Sequence, residues 1–282
     1  MRGGIMSSDI FQAIFTIFPN LRKEDLHTEK GLKICLNSDR GILVQKPLSE
    51  PICNTEKKIE LQSLGTVNFY INGKLLNNDL WPSKKSKWLF TRLVCADLPL
   101  SADHLIAEFW PNSKTDGYAS LNKTISKIRK LFFDTYQWPN IINHRDNLFS
   151  LDKNISISSD VKLLKDLWKK FQQTPNLEYL EKIDQLYKGD FVCGCDLDWF
   201  IEMRNHLEDI YLESAHNLAE NYLKEQEWNK ALKIAQNCTK RDPYDSKNCQ
   251  ILVRSLMGLN KHNQAKKYYK DFTKKLEKDL QS

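Results

Sequence analysis

Residues 117–133 read GYASLNKTISKIRKLFF, and the fold of the chain turns on what this stretch is. As a helix it sets Leu121, Ile125, Ile128 and Phe132 on one face, at steps of four, three and four. The other side carries Asn122, Lys123, Ser126, Lys127, Arg129 and Lys130, with no acid between Asp116 and Asp134. One face is built to pack and the other offers cations and donors. Such a face suits a polyanion, but it also suits plain water. The flanking chain has to decide.

Upstream, Ile59–Leu76 alternates in the manner of short strands, with Val67, Phe69 and Ile71 on one side and Thr66, Asn68 and Tyr70 on the other. Asn72-Gly73 is a hairpin turn, because both residues tolerate positive φ. Ser83 caps a helix whose stripe is Trp88, Leu89, Leu93 and Val94. Lys84, Lys85 and Lys87 crowd its first turn, the wrong end for cations given the helix dipole. Ser101 caps a second helix, with Leu105, Ile106 and Phe109 inward, and Trp110-Pro111-Asn112 stops it. After the basic helix come NIIN (140–143) and LFSL (148–151), separated by His144-Arg145-Asp146-Asn147. That pair is a β-hairpin with a turn-forming tip.

Sheet, helix, helix, basic helix, hairpin is the order of a winged helix-turn-helix preceded by an antiparallel sheet. A third helix of this kind fits the major groove by its width, and its outward polar side chains can reach base edges. Lys and Arg add a salt-dependent attraction to phosphates. Ile59–Leu151 resembles the OmpR-type winged helix as it occurs in bacterial transcriptional activators of the SARP type. The residues that carry the likeness are IELQSLGTVNFYINGK, LIAEFWPN and SLNKTISKIRKLF. The wing of that family ends in Gly-aromatic-x-Leu, and here Leu148-Phe149-Ser150-Leu151 lacks the Gly. The resemblance implies a DNA-binding regulator. The helix would offer Asn122, Lys123, Ser126, Lys127 and Lys130 to the major groove, with Arg129 on phosphate. The wing would offer His144, Arg145 and Asn147, and Lys84, Lys85 and Lys87 would be further phosphate contacts.

From Ser159 onward nearly everything reads as helix. Val161–Gln172 carries an apolar stripe of Leu163, Leu164, Leu167, Trp168 and Phe171, and Leu177–Tyr187 and Asp198–Lys224 follow. Ala231 and Ala265 stand 34 residues apart, the tetratricopeptide period. A first unit runs over Leu212–Tyr244, with Pro243 ending its second helix, and a weaker second unit uses Val253, Leu256, Ala265 and Tyr269. LYKGDFV, then WFIEMR with Trp199 and Arg204, is similar to the bacterial transcriptional activation domain that follows the winged helix in the same family. The fold expected is therefore α+β then all-α, a winged helix over 56–153 followed by a tetratricopeptide-like helical bundle over 158–282. Residues 1–55 are a separate segment, with a short helix at Asp9–Phe18, two strands within Gly31–Val44 and a linker at Lys46–Asn54.

At 282 residues, 41% hydrophobic and net +6, the chain has material for two cores and a mild positive balance that permits an acidic partner. Its longest apolar run near the start, Ile10–Phe18, is too short to span a bilayer, so no membrane partner is expected. Seven scattered cysteines read as reduced thiols of a cytoplasmic protein. Gly is sparse and no paired-His motif occurs, so no cofactor, metal or catalytic site is expected and the chain is not read as an enzyme. The partners implied by the resemblance are double-stranded DNA, RNA polymerase and a second copy of the chain. The alternative is a protein-interaction scaffold whose winged helix does not read DNA, which the modest charge and the missing wing Gly favour.

Overall fold

The structure is a computed structural model that describes residues 34–36, 42–44, 57–113 and 116–280. The chain divides into two compact units, Met1–Thr55 and Glu56–Ser282. In the first, β1 (Ile34–Leu36) and β2 (Ile42–Val44) pair antiparallel, with Cys35 opposite Leu43. These are the two strands read from Gly31–Val44. The helix and linker expected around them lie outside the described residues.

The second unit begins with a four-stranded sheet in the order Lys74–Leu75, Asn68–Ile71, Lys57–Gln62, Ile155–Ser159. β3 (Lys57–Gln62) pairs antiparallel with β4 (Asn68–Ile71), so Ile59 faces Ile71 and Leu61 faces Phe69. All four side chains are buried, as period-two alternation demands of a sheet with one covered face. Asn72 and Gly73, at φ 50° and 78°, turn the chain into β5 (Lys74–Leu75). The fourth strand, β9 (Ile155–Ser159), runs parallel to β3, and its sequence alone does not announce a strand.

Three helices follow the first three strands. α1 (Lys84–Val94) starts at Ser83, whose Oγ accepts from the Ser86 N–H while Ser86 returns the bond. α2 (Ala102–Phe109) is capped by Ser101, itself in the two-residue strand β6 (Leu100–Ser101). α3 (Gly117–Tyr136) runs three residues beyond the expected end and closes with Gln137 in the left-handed conformation at φ 58°. Leu121, Ile125, Ile128 and Phe132 are at most 1% exposed. Phe132 joins Phe90, Trp81 and Phe69 in a chain of aromatic contacts with centroids 5.0 to 6.3 Å apart. At Gly117 a Cβ would lie 2.5 Å from Cγ2 of Ile106, so the glycine lets α2 and α3 approach without displacing the Ile106 side chain. β7 (Ile142–Arg145) and β8 (Leu148–Leu151) form the wing, and β6 completes its sheet.

β9 leads straight into α4 (Asp160–Gln173), followed by α5 (Leu177–Leu186), α6 (Asp198–Lys224), α7 (Trp228–Arg241), α8 (Ser246–Gly258) and α9 (His262–Leu280). The pairs α6–α7 and α8–α9 repeat at 34 residues, the separation of Ala231 and Ala265. Both alanines are buried, and Arg254 pairs with Glu220, one period back, at 2.9 Å. Gly258 lets the Trp228 ring lie where a Cβ would clash at 2.3 Å. Two expected packing positions differ. Leu163 is 48% exposed on α4, and Tyr269 is 58% exposed while its neighbour Tyr268 packs on the core.

The winged helix and the helical pairs are joined by more than the chain. The Asp160 carboxylate accepts from the backbone N–H groups of Ser63 (2.6 Å) and Leu64 (2.8 Å) and from the Ser63 hydroxyl (2.8 Å). Gly65 and Gly189 touch backbone to backbone, and Gly65 N–H donates to the Asp190 carbonyl at 3.1 Å. Arg204 of α6 holds the carbonyls of Phe191, Val192 and Cys195. Buried Arg92 of α1 pairs with Glu108 of α2 and lies 4.1 Å over the Trp199 ring of α6. A buried, paired and stacked guanidinium of this kind fixes orientation more than it adds stability.

Candidate nucleic-acid interface

The sequence of α3 dictates a helix with one buried row, and the opposite face is left free. Asn122, Lys123, Ser126, Lys127 and Lys130 are all exposed. None of the three lysines takes part in an ion pair among the described residues. At about 1.5 Å per residue they span about 10 Å along the helix. Their charge is therefore available to solvent or to a partner rather than spent inside the fold.

The wing stands beside the start of this helix. Its tip is a two-residue turn with Asp146 and Asn147 at φ 52° and 61°, and Arg145 pairs with Leu148 across it. Both residues of a mirror-image hairpin turn need positive φ, which Asp and Asn tolerate. The chain thus makes the turn without the glycine, and Leu148 is an ordinary strand residue. Arg145 and Asn147 are exposed at the tip. His144 stacks on Phe149, centroids 4.2 Å apart and planes 3° from parallel, so one ring face is used within the hairpin.

Tyr118, in the first turn of α3, is a residue that the sequence pattern does not single out. Its hydroxyl donates to the Asp103 carboxylate of α2 and accepts from Asn147 Nδ2 at 3.4 Å. The Asn147 carbonyl in turn accepts from the Ala102 N–H at 2.9 Å. Tyr118 therefore connects the starts of α2 and α3 to the wing tip. No local pattern marks it, since its partners are 15 and 29 residues away.

Three expected phosphate contacts are placed otherwise. Arg129 is half-buried and donates from Nε (3.1 Å) and Nη2 (2.8 Å) to the Ile142 carbonyl, tying α3 to the wing. Lys85 donates to the Phe109 carbonyl at 3.0 Å and lies 5.0 Å over the Trp110 ring. Lys87 donates to the Val67 carbonyl (2.6 Å) and to Asn78 Oδ1 (2.8 Å), and burial lowers its pKa from the ordinary lysine value. These long stems reach carbonyls left over at the ends of neighbouring elements, which the sequence cannot place nearby. Lys84 remains exposed, with no such carbonyl partner among the described residues. Among the described residues no group of three or more His, Cys, Asp or Glu could hold a metal ion, and no helix is long and apolar enough to cross a membrane.

Residues 165–282 match the family described as the bacterial transcriptional activator domain. A solved structure of Mycobacterium tuberculosis EmbR in complex with a low-affinity phosphopeptide is similar over 80% of this chain, with a TM-score of 0.60 and 17% identity. This chain spans 61% of that one, and the likeness is one of fold. Comparison with curated proteins finds no match.

Proposed function

We propose that this chain, in architecture a transcriptional activator of the SARP/BTAD type, reads promoter DNA with α3 and the wing. The helical pairs would serve a second copy, RNA polymerase or a signal. The observation that carries the proposal is the exposed face of α3. Five polar side chains, three of them lysines free of ion pairs among the described residues, stand opposite a fully buried row. Asn122 and Ser126 can read base edges. Lys123, Lys127 and Lys130 supply charge, and Arg145 and Asn147 reach the backbone beside the wing. Arg129 positions the wing rather than touching phosphate.

Binding of the full chain to promoter fragments, followed as a function of salt, tests this. Lys127→Ala with Lys130→Ala weakens binding and lowers the salt slope by about one for each phosphate that is no longer neutralised. Equal affinity and slope in the double variant would refute the assignment. It would favour a scaffold whose winged helix only packs against proteins.

A further inference from the structure

The positive charge of the chain is unevenly placed. Residues 57–153 carry 14 Lys and Arg against 9 Asp and Glu, which fits a DNA-reading module. Residues 154–261 carry 15 against 17. The final helix α9 then carries 6 lysines, no arginine and 3 acids. Two basic poles thus flank a slightly acidic middle, and only the first is absorbed by the proposed function.

Within α9 the lysines are ordered. Lys266, Lys270, Lys274 and Lys278 follow one another at steps of four, so they form a single slowly winding row. Ala265 and Phe272 are buried on the inward side, and Tyr268 packs against the core. All four lysines of the row are exposed. The basic residues of the preceding helices are partly spent on acids: Lys182 on Glu178, Lys230 on Glu227, Arg241 on Asp190 and Arg254 on Glu220. No lysine of α9 takes part in an ion pair among the described residues, and Lys275 lies over the Tyr244 ring, off the row. Like charges four residues apart oppose helix formation, and only Asp271 and Glu277, three residues either side of Lys274, offset that repulsion along the row.

We infer that the outward face of α9 is a second, sequence-independent contact for duplex DNA, an inference that rests on the DNA-reading function of α3. The row advances about 6 Å per step and about 18 Å in all, which is the length of roughly five base pairs. It presents compact point charges with no guanidinium to fork onto a carboxylate, and the row has no aromatic or arginine anchor of the kind that centres a protein interface. A linear array of charges without an anchor matches a phosphate backbone.

The test uses the full chain with Lys266, Lys270, Lys274 and Lys278 all changed to Gln, a substitution that keeps helix propensity. Circular dichroism checks the fold. Binding to a promoter duplex and to a random duplex of equal length is measured across salt concentrations, beside the Lys127→Ala, Lys130→Ala variant. The expected result is a salt slope lowered by about 0.9 for each lysine that meets phosphate, roughly 2 to 4 in total, with equal loss on both duplexes. An unchanged slope overturns the inference. If the α3 variant flattens the slope and the α9 variant does not, the α3 function stands and α9 is excluded. If only the α9 variant loses affinity, the recognition role of α3 fails, and with it the reading of α9 as a second contact beside α3. Unchanged DNA binding together with weaker retention on poly-L-glutamate would assign the row to an acidic protein and also overturn the inference.

Discussion

Replacing Asp160 by Ala removes the clip between the winged helix and the helical pairs. The carboxylate satisfies the N–H groups of Ser63 and Leu64 and the Ser63 hydroxyl, and Oδ1 also accepts from the Val161 N–H at 2.8 Å. Ser63 is fully buried and Leu64 is 5% exposed, so water cannot replace the missing acceptor without opening the junction. Each buried donor left unmet costs about 1–3 kcal/mol, more when its partner was charged. The Ser63 hydroxyl can rotate to another acceptor, so two N–H groups dominate and the expected loss is about 3–5 kcal/mol. That is a large share of the roughly 5–15 kcal/mol typical of a folded protein. Asp160→Asn keeps one oxygen for the two N–H groups of Ser63 and Leu64. Its amide then faces the Val161 N–H, a donor against a donor. The expected loss is about 1–2 kcal/mol. Urea unfolding of the full chain, followed by tryptophan fluorescence and circular dichroism, ranks wild type, Asn and Ala in that order. An Ala variant within about 1 kcal/mol of wild type would refute the claim that this carboxylate holds the two parts together.

Three further outcomes follow from the same structure. Arg129→Gln breaks the tether to Ile142 and lowers stability by about 1–2 kcal/mol, yet it leaves the salt slope of DNA binding unchanged; a slope that falls as it does for Lys127 would return Arg129 to phosphate contact. Burial raises the thiol pKa of Cys95 and Cys238 to about 12, and it also raises the phenol pKa of Tyr187, Tyr211 and Tyr222. The folded state therefore holds protons that the unfolded state has already released. Stability is full below about pH 9 and declines as pH climbs through about 12, which thermal melts across that range would show. By the same burial, iodoacetamide at about pH 8 labels exposed Cys193 well before buried Cys238, as peptide mass mapping checks.

The parts of this protein that depend on local periodicity are open to reading in the chain. Leu121, Ile125, Ile128 and Phe132 announce a helix and its buried side, whatever that side packs on. Asn72-Gly73 fixes a hairpin because two adjacent residues must take positive φ, and Ala231 with Ala265 reports a repeat through spacing alone. The exposed half of the candidate site comes with this pattern, since the residues opposite a buried row have nowhere to go but outward. Tertiary structure decides what the long side chains do. Arg129, Lys85 and Lys87 look the same in sequence as Lys127 and Lys130, but their stems end beside the unpaired carbonyls of Ile142, Phe109 and Val67. Tyr118 acquires its place at the wing only because α2 and the hairpin tip fold against it. β9 is too rich in serine to declare itself without β3 alongside, and Asp160 is an ordinary first-turn acid until Ser63 and Leu64 arrive. A helix face is set within a few turns of chain. The partner of a flexible charged group is set by whichever polar atom the whole fold brings within about 3 Å.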